Sequence, residues 1–260
     1  MAGEAMDPVI TVPALGDNFI YLYRYDQRNA FAVDPGESSA VLGVLRRYGL
    51  NLTMILVTHH HWDHVAGVDE LKKISGCEVI GGDRRIRSID HVVGDGQILE
   101  AGDVRIQVIA TPGHTQAAVC YHLQPSKAGK NGILWTGDTL FIGGCGRLFE
   151  CDARTMWDSL VKLTSLPDET VVYCGHDYTV ENYEFALTIE PDNQALRKRL
   201  QETRQPQQAG GRAAPPTILQ ERTTNPFLRA ASPELKAALN MHDANAVDVF
   251  AELRRRKDLF

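Results

Sequence analysis

The stretch Thr58-His59-His60-His61-Trp62-Asp63-His64 places four potential metal ligands within six residues. These ligands are His59, His61, Asp63 and His64. The apolar run over residues 54–57 comes just before the stretch and predicts a buried strand that ends where the ligands begin. Since alternate residues of an extended chain point to the same side, His59 and His61 are expected to face a common point. Imidazole and carboxylate groups suit zinc and other divalent first-row metals, and the spacing differs from the HExxH site of zincins.

Three further polar residues extend this cluster, and each directly follows a glycine close behind an apolar run. They are His114, Asp138 and His176. A glycine permits the sharp turn that brings a side chain at a strand end close to ligands from other strands. Taken alone, residues 58–64 could be a solvated row of histidines. Seven candidate ligands at the ends of four predicted strands make that coincidence a poor explanation.

The pattern of the chain changes near residue 178. Before it, short aliphatic runs alternate with loops rich in Gly, Asp and Pro, which predicts mixed α/β structure. The predicted strands include residues 20–23, 30–33, 54–57, 104–109, 133–135 and 170–173, and the predicted helices are 65–75 and 153–166. Beyond it only helices are predicted, at residues 180–190, 193–203, 233–239 and 244–257, with an exposed loop at 205–216. We therefore expect an α/β domain over residues 1–178 and a helical domain over residues 179–260.

Apolar residues at helical spacing define the expected buried faces of the two helices in the first part. In the helix over 65–75 these residues are Val68, Leu71 and Ile74, and in the helix over 153–166 they are Met156, Leu160 and Leu163.

The composition argues against several classes of protein. The formal charge of −6 gives no general attraction to nucleic acid. No apolar run approaches the roughly 18 residues that a membrane span needs. The first ten residues hold two acidic side chains and no basic one, unlike a secretory signal or a transit peptide. Five cysteines without CxxC spacing argue against a disulfide framework. We expect a soluble, cytoplasmic, monomeric protein that binds neither nucleic acid nor membranes.

The complete ligand pattern resembles that of the metallo-β-lactamase superfamily. The THxHxDH run of that superfamily is matched by residues 58–64, and its later His, Asp and His are matched by the three residues that follow glycines. Within the superfamily the chain is most similar to the glyoxalase II family, the hydroxyacylglutathione hydrolases, over essentially its whole length. Supporting segments are residues 16–21 (GDNFIY), 143–150 (GGCGRLFE), 175–178 (GHDY), 225–227 (NPF) and 254–258 (RRRKD).

The resemblance implies an αββα sandwich, two mixed sheets between helices, followed by a helical substrate-binding domain that closes over the site. It implies two divalent metal ions, with zinc favoured and iron or manganese compatible with the same ligands. One metal would be held by His59, His61 and His114, the other by Asp63, His64 and His176, with Asp138 bridging the two. The implied reaction is hydrolysis of S-D-lactoylglutathione and related 2-hydroxyacyl glutathione thioesters, a step of methylglyoxal detoxification. The nucleophile would be a dimetal-bound hydroxide with Asp63 beside it as a catalytic residue.

The resemblance also implies substrate contacts at Arg147, Tyr178, Arg254 and Lys257. On its own, the basic run 254–257 would be interpreted as a solvated helix end with favourable charge at its C-terminus. Two positions depart from a common family pattern, which has Lys and Tyr in place of Arg147 and Phe149. Arg147 keeps the charge, whereas Phe149 lacks a hydroxyl, so one hydrogen bond to the thiol carrier is lost or supplied elsewhere.

The remaining histidines and cysteines have simpler interpretations. His60 and Trp62 alternate with the ligands, so they are expected to face away from the metals and to pack. The others, His91, His122 and His242, lack ligand context and are expected to be structural or solvated. The cysteines are expected to be small core residues.

Two alternatives remain open at this point. The first is another enzyme of the same superfamily, namely a persulfide dioxygenase with one iron, a lactonase or a β-lactamase. The second is a metal-stabilised binding protein without turnover, although structural zinc sites are typically closed cages of four ligands.

Overall fold

Two β-sheets lie face to face at the centre of the protein, whose computed structural model describes residues 7–125, 131–208 and 214–260. The first sheet contains β1 (Val9–Ala14), β2 (Asn18–Arg24), β3 (Asn29–Val33), β4 (Asn51–Val57), β5 (Glu78–Gly81) and β6 (His91–Val92). Its strands follow one another in chain order. The pairs from β1 to β3 are antiparallel and the pairs from β3 to β6 are parallel.

The second sheet is built from the middle of the chain. It contains β7 (Ile98–Ala101), β8 (Val104–Ala110), β9 (Val119–Leu123), β10 (Ile133–Gly137) and β13 (Val171–Cys174). The order is β13-β10-β9-β8-β7, with β10 and β13 parallel and the other neighbours antiparallel. A short hairpin of β11 (Leu140–Phe141) and β12 (Gly144–Cys145) lies between β10 and β13 in the chain.

Large apolar side chains from both sheets fill the space between them. The ring of Phe31 on the first sheet meets that of Trp135 on the second edge to face, at 5.5 Å between centroids. Tyr121 is also fully buried there, and its hydroxyl donates to the carbonyl of Val57 across the interface. This apolar layer fixes the two sheets relative to one another, and with them the strand ends that carry the site.

Helices cover the outer face of each sheet. On the first sheet, α1 (Ser38–Tyr48) and α3 (Val68–Ser75) bury Val41 and Leu71. On the second sheet, α4 (Ala153–Thr164) buries Met156, Leu160 and Leu163, as predicted. The four layers form the αββα sandwich that the sequence analysis expected.

The chain beyond residue 178 is helical. Its elements are α5 (Thr179–Ile189), α6 (Gln194–Gln208), α7 (Ile218–Thr224), a 3-10 turn (Pro226–Leu228), α8 (Pro233–Ala238) and α9 (Ala246–Leu259). Phe250 of α9 packs against Trp157 of α4, so the two parts of the chain share one apolar core. The domain division at residue 178 therefore stays a prediction. Within the described residues, no helix has the length and apolar character needed to cross a membrane.

The prediction of a single helix over residues 65–75 is wrong. The chain forms a short α2 (Trp62–Val65) and then α3. Between them the N–H of Gly67 donates to the carbonyl of Pro35, and a Cβ at Gly67 would lie 2.5 Å from that oxygen. This close approach separates the two helices. Ile74, expected in the core, is exposed because at 100° per residue it points about 120° away from Val68.

The loop predicted over residues 205–216 is partly helical. Helix α6 continues to Gln208 and includes Pro206, for which the local sequence gives no explanation. Residues 209–213 of the predicted loop lie outside the described residues. Helix α7 has no counterpart among the predicted elements, although Thr217 and Gln220 form a capping box at its start.

Candidate metal centre

The seven predicted ligands come together at one end of the sandwich. His59, His61, Asp63 and His64 lie in the loop and short helix after β4, His114 follows β8, Asp138 follows β10, and His176 follows β13. The strands that precede them come from both sheets, so the ligands meet only because the sheets are packed together. Two groups made up only of these ligands have their ligand atoms within 4.8 Å of one another, His59 with His61 and His114, and Asp63 with His64 and His176.

The first group consists of three imidazoles. Nε2 of His59 lies 3.1 Å from Nδ1 of His61, and Nε2 of His114 lies 3.0 Å from the same Nδ1. Three ring nitrogens bound to one tetrahedral zinc ion would be about 3.3 Å apart, given bonds of 2.0–2.1 Å. Each neutral imidazole has only one N–H, so hydrogen bonds among the three rings cannot pair all three of the nitrogens that face this point. The donor set and its spacing therefore fit a cation.

The second group combines imidazoles with a carboxylate. Oδ2 of Asp63 lies 3.3 Å from Nε2 of His176 and 3.4 Å from Nε2 of His64. The same oxygen accepts a hydrogen bond of 2.9 Å from Asn18, which holds the carboxylate towards the two rings. This mixed nitrogen and oxygen set also suits a divalent first-row metal.

Asp138 lies between the two groups. Its Oδ2 is 3.4 Å from His114 and 3.4 Å from His176, and its Oδ1 is 3.4 Å from His64. The side chain is buried, yet Oδ1 makes no geometrically satisfactory hydrogen bond within the described part of the chain. A buried carboxylate oxygen without a donor is costly, and a bound cation would satisfy it. The position suits a ligand shared by two ions.

The ligand imidazoles are oriented through their remaining ring nitrogens. In four of the rings this nitrogen is Nδ1. Nδ1 of His59 lies 3.0 Å from Thr58 Oγ1, and Nδ1 of His114 lies 2.9 Å from the Arg147 carbonyl. Nδ1 of His64 lies 3.0 Å from Asp34 Oδ2, and Nδ1 of His176 lies 3.0 Å from Asp17 Oδ1. These contacts leave Nε2 free to face the centre. His61 is the exception, because it presents Nδ1. Such partners fix ring orientation and increase the basicity of a ligand.

The electrostatics of the two groups differ. Burial lowers the pKa of His59, His61 and His114, so these imidazoles are neutral and able to bind a metal. For His64 and His176 burial acts in the same direction, but the carboxylate of Asp138 outweighs it. The pKa of His64 is raised well above its usual value and that of His176 to about 10.

The carboxylates respond to the same contacts. Burial raises the pKa of Asp138, but His64 and His176 outweigh it and hold that pKa well below its usual range. The pKa of Asp63 is also lowered, because hydrogen bonds from the same two histidines overcome its partial burial. This half of the centre thus carries negative charge that attracts either protons or a metal cation.

Sequence reasoning missed the orienting roles of Asp17 and Asp34. Asp34 lies close to His59 and His64, but its Oδ1 accepts from the Thr58 N–H at 2.7 Å and its Oδ2 from the Thr58 hydroxyl at 2.6 Å. With both oxygens engaged in this way, Asp34 orients the site instead of joining the ligands. A signal was present, because Asp34 directly follows a predicted strand, as the ligands do.

Two of the glycines before ligands act in different ways. Gly137 has φ of 47° and lies at an irregularity in the pairing of β10 with β13, where the chain turns to present Asp138. A Cβ at Gly137 would also lie 2.2 Å from Thr58 Oγ1. Gly175 has no positive φ and provides only space, because a Cβ there would lie 2.4 Å from Asp138 Oδ1 and 2.9 Å from His64 Cε1. The requirement for glycine at Gly175 is therefore steric.

A cavity of about 340 Å³ opens directly onto the metal centre. All four predicted substrate contacts line it, namely Arg147, Tyr178, Arg254 and Lys257. Phe149 lines it as well, with 61% of its surface exposed and its ring 5.1 Å from that of His114. The cavity thus has cationic and aromatic walls and the ligand cluster at one end.

The alternative of a solvated helix end is wrong for Arg254, which is only 5% exposed. Its guanidinium donates 2.8 Å to the carbonyl of Cys145, pairs with Asp258 at 2.9 Å and lies over the ring of Phe227. The packing of α9 against the β11–β12 hairpin therefore buries this arginine beside the cavity.

Of the three other predicted contacts, Arg147 and Tyr178 differ in their surroundings. Arg147 is exposed, and its guanidinium has no acceptor among the residues that the structure describes. The ring of Tyr178 stacks on that of His176, with centroids 5.0 Å apart and planes within 3°. Arg147 is thus available to an anion, whereas Tyr178 links the cavity wall to a ligand.

The other histidines and Trp62 give mixed outcomes. His60 faces away from the centre, as expected, and its Nδ1 lies 3.1 Å from Asp83. Trp62 was expected to pack, which is wrong, because it is 69% exposed. His122 is buried, while His91 and His242 are exposed. Four of the cysteines are buried and Cys151 is half-buried.

Comparison with known proteins agrees with this geometry. The family model described as "Metallo-beta-lactamase superfamily" matches residues 14–176, and the model described as "Hydroxyacylglutathione hydrolase C-terminus" matches residues 177–260. A curated hydroxyacylglutathione hydrolase of Rhizobium meliloti is 46% identical over 88% of this chain and 89% of its own length. Another from Methylococcus capsulatus is 44% identical over 97% of this chain and 98% of its own length.

A solved structure shares the fold at lower identity. ETHE1 from Myxococcus xanthus superposes with a TM-score of 0.65 at 24% identity, covering 96% of this chain and 98% of its own. The sandwich and its paired ligand groups define a metallo-β-lactamase-type metalloprotein. Within that class, the chain belongs to the hydroxyacylglutathione hydrolase family.

Proposed function

We propose that the protein hydrolyses S-D-lactoylglutathione and related 2-hydroxyacyl glutathione thioesters to glutathione and a hydroxy acid. The observation that carries this proposal is the position of the cationic cavity, which opens directly onto two adjacent groups of metal ligands. Relatives about 45% identical over most of the chain, which are named hydroxyacylglutathione hydrolases, support the same activity.

The residues of the centre would hold two divalent ions. His59, His61 and His114 would bind one ion, Asp63, His64 and His176 the other, and Asp138 would contact both. Zinc is favoured by this ligand set, and iron or manganese is compatible with it. Such ions lower the pKa of water towards neutrality and stabilise negative charge on a carbonyl oxygen.

Asp63 has a separate role in the proposed reaction. Asp63 lines the cavity, and its Oδ2 contacts Asn18, His64 and His176. The low pKa of this carboxyl keeps it ionised, so the carboxylate can accept a hydrogen bond from the attacking water and orient it. The thiol that leaves has a pKa of about 8.5, so its departure as a thiolate does not require a strong general acid.

The walls of the cavity would hold the thiol carrier. Arg147 and Lys257 offer positive charge to the carboxylates of glutathione, and Tyr178 offers a hydroxyl. Arg254 is bound to protein acceptors, so it contributes positive potential and holds the hairpin that carries Cys145. In this scheme residues 1–178 supply the metal centre and residues 179–260 much of the carrier site. The cytoplasmic location and the monomeric state stay predictions.

The proposal is tested by assaying purified, metal-loaded protein with S-D-lactoylglutathione and measuring metal content on the same sample. We expect hydrolysis by the wild type and its loss in His61→Ala with circular dichroism retained. His242→Ala, which changes an exposed histidine, is the matched control. Undetectable hydrolysis by metal-loaded wild type would overturn the proposal. Oxygen uptake with glutathione persulfide would then favour a dioxygenase. Inactivity on every thioester would favour a binding protein without turnover.

A further inference from the structure

Lys257 and Glu181 form an ion pair inside the cavity beside the metal centre. Nζ of Lys257 contacts Oε1 of Glu181, and both side chains line the cavity. The two residues are 76 positions apart in the chain, with Glu181 near the start of α5 and Lys257 near the end of α9. A negative charge therefore lies within the cationic wall of the proposed carrier site.

The two partners of this pair are held very differently. The side chain of Lys257 is only 8% exposed, and its ammonium lies 5.6 Å from the ring centre of Phe185 and 5.0 Å from that of Phe260. Favourable cation–π contacts of this kind hold the ammonium in place. The side chain of Glu181 is 60% exposed, and Lys257 is its only ion-pair partner among the described residues. Glu181 can thus swing into solvent while Lys257 stays.

We propose that Glu181 competes with a carboxylate of the substrate for Lys257 and so sets the affinity of the site for anionic thiol carriers. This inference rests on the proposed function. A carboxylate of the carrier that reaches Lys257 must displace the Glu181 carboxylate, which has the same charge and the same hydrogen-bonding geometry. The displaced group remains nearby and repels the bound anion. The same competition weakens the binding of the product glutathione.

The size of the effect follows from the exposure of Glu181. An ion pair with one well-exposed partner contributes little free energy. Removal of the Glu181 charge should therefore change the affinity for the carrier by about two- to fivefold. Arg147 has no such competitor in the described structure, so Lys257 is the position at which carrier affinity is adjusted.

The test compares wild type with Glu181→Gln, which keeps the shape of the side chain and removes its charge. We expect the KM for S-D-lactoylglutathione and the Kd for glutathione, measured by calorimetry, to fall together by about two- to fivefold. A D-lactoyl thioester of N-acetylcysteamine has no carboxylate on its thiol carrier, and its KM should not fall. In a Lys257→Met background, Glu181→Gln should lower the Kd for glutathione by a smaller factor. The cation for which Glu181 and the carrier compete is then absent.

Glu184→Gln is the matched control. Glu184 lies on the same helix and pairs with Arg204 away from the cavity, so its replacement should leave both constants unchanged. If Glu181 serves only to hold Lys257 in place, Glu181→Gln raises the KM and the Kd, and the inference is wrong. Unchanged constants also overturn it. If wild type binds glutathione without hydrolysing the thioester, the proposed function fails, and the Kd alone decides the inference.

Discussion

Nδ1 of His64 lies 3.0 Å from Oδ2 of Asp34, and both side chains are almost completely buried behind the metal centre. The carboxylate fixes the ring so that Nε2 faces Asp63 and Asp138. It also adds negative charge behind a proposed ligand, which strengthens the attraction for a cation.

We expect Asp34→Asn to lower metal affinity at the group of Asp63, His64 and His176 by about 10- to 100-fold. Asparagine tolerates the backbone at this position, where φ is 49°, so the main changes are the loss of the charge and of one of the two acceptor oxygens. Metal content and chelator competition measure the effect. Asp83→Asn is the control, because Asp83 is a buried carboxylate beside His60, outside the ligand groups. Equal metal affinity in Asp34→Asn and wild type would contradict the orienting role.

Replacement of Gly175 by alanine should disrupt the centre. The added Cβ would lie 2.4 Å from Asp138 Oδ1, and this oxygen cannot move without leaving its place between the two groups. We expect loss of tightly bound metal and of thioester hydrolysis. In contrast, Gly43→Ala in helix α1 meets nothing within 4 Å and should stabilise the fold by about 0.5–1 kcal/mol. Retention of full metal content by Gly175→Ala would show that the site relaxes more than the geometry suggests.

Removal of metal should lower the melting temperature of the protein. A ligand that binds only the folded state stabilises it by about 4 kcal/mol at 1,000 times its Kd. After chelation, the half-buried carboxylate of Asp63 and the buried carboxylate of Asp138 lose this compensation. Calorimetry before and after treatment with a chelator measures the shift, and added zinc should reverse it. His61→Ala should show a smaller shift. An identical melting temperature with and without metal would be the contrary result.

Glu221 should make stability depend on pH. It is fully buried below the β11–β12 hairpin, and burial raises the pKa of its carboxyl from 4.5 to about 7, although Asn225, the Gly143 N–H and Arg199 act in the opposite direction. The folded state therefore keeps a proton that the unfolded state releases. Wild type loses stability as the pH rises from about 4.5 to about 7, by up to about 3 kcal/mol from this group.

Glu221→Gln should remove this loss. Its amide oxygen can accept from Gly143 and Asn225, as Oε2 of Glu221 does at 2.9 Å in each case. The unfolding free energy of the variant relative to wild type should therefore rise between pH 5 and pH 8. Urea unfolding of metal-loaded samples measures it. Glu184→Gln changes a half-buried glutamate that pairs with Arg204, and it should show no such rise. A pH-independent difference for Glu221→Gln would refute the assignment.

The ligands could be found from the sequence because each of them lies next to an apolar run that predicts a strand. His114, Asp138 and His176 are separated widely in the chain, but each shares the same local signature of strand, glycine and polar residue. Asp34 carries part of that signature and was missed, since its role depends on which histidine the packed sheets bring to it.

Predictions from the local sequence pattern were also wrong where contacts between distant segments determine a helix boundary or the exposure of a side chain. The break between α2 and α3 depends on the carbonyl of Pro35, which lies in a distant segment. The exposure of Trp62, the first residue of α2, depends on which other segments pack against that helix. Neither is encoded in the periodicity of the segment itself.

The sequence by itself determined the chemical identity of the site, the mixed α/β pattern followed by helices, and the family. Local order is enough for these, because strand and helix periods and ligand types are properties of short stretches. Only the tertiary structure decided that His61 presents Nδ1, that Arg254 is buried, and that Glu181 meets Lys257. Those facts depend on the packing of elements that are distant in the chain, which fixes the geometry and the electrostatic environment of each side chain.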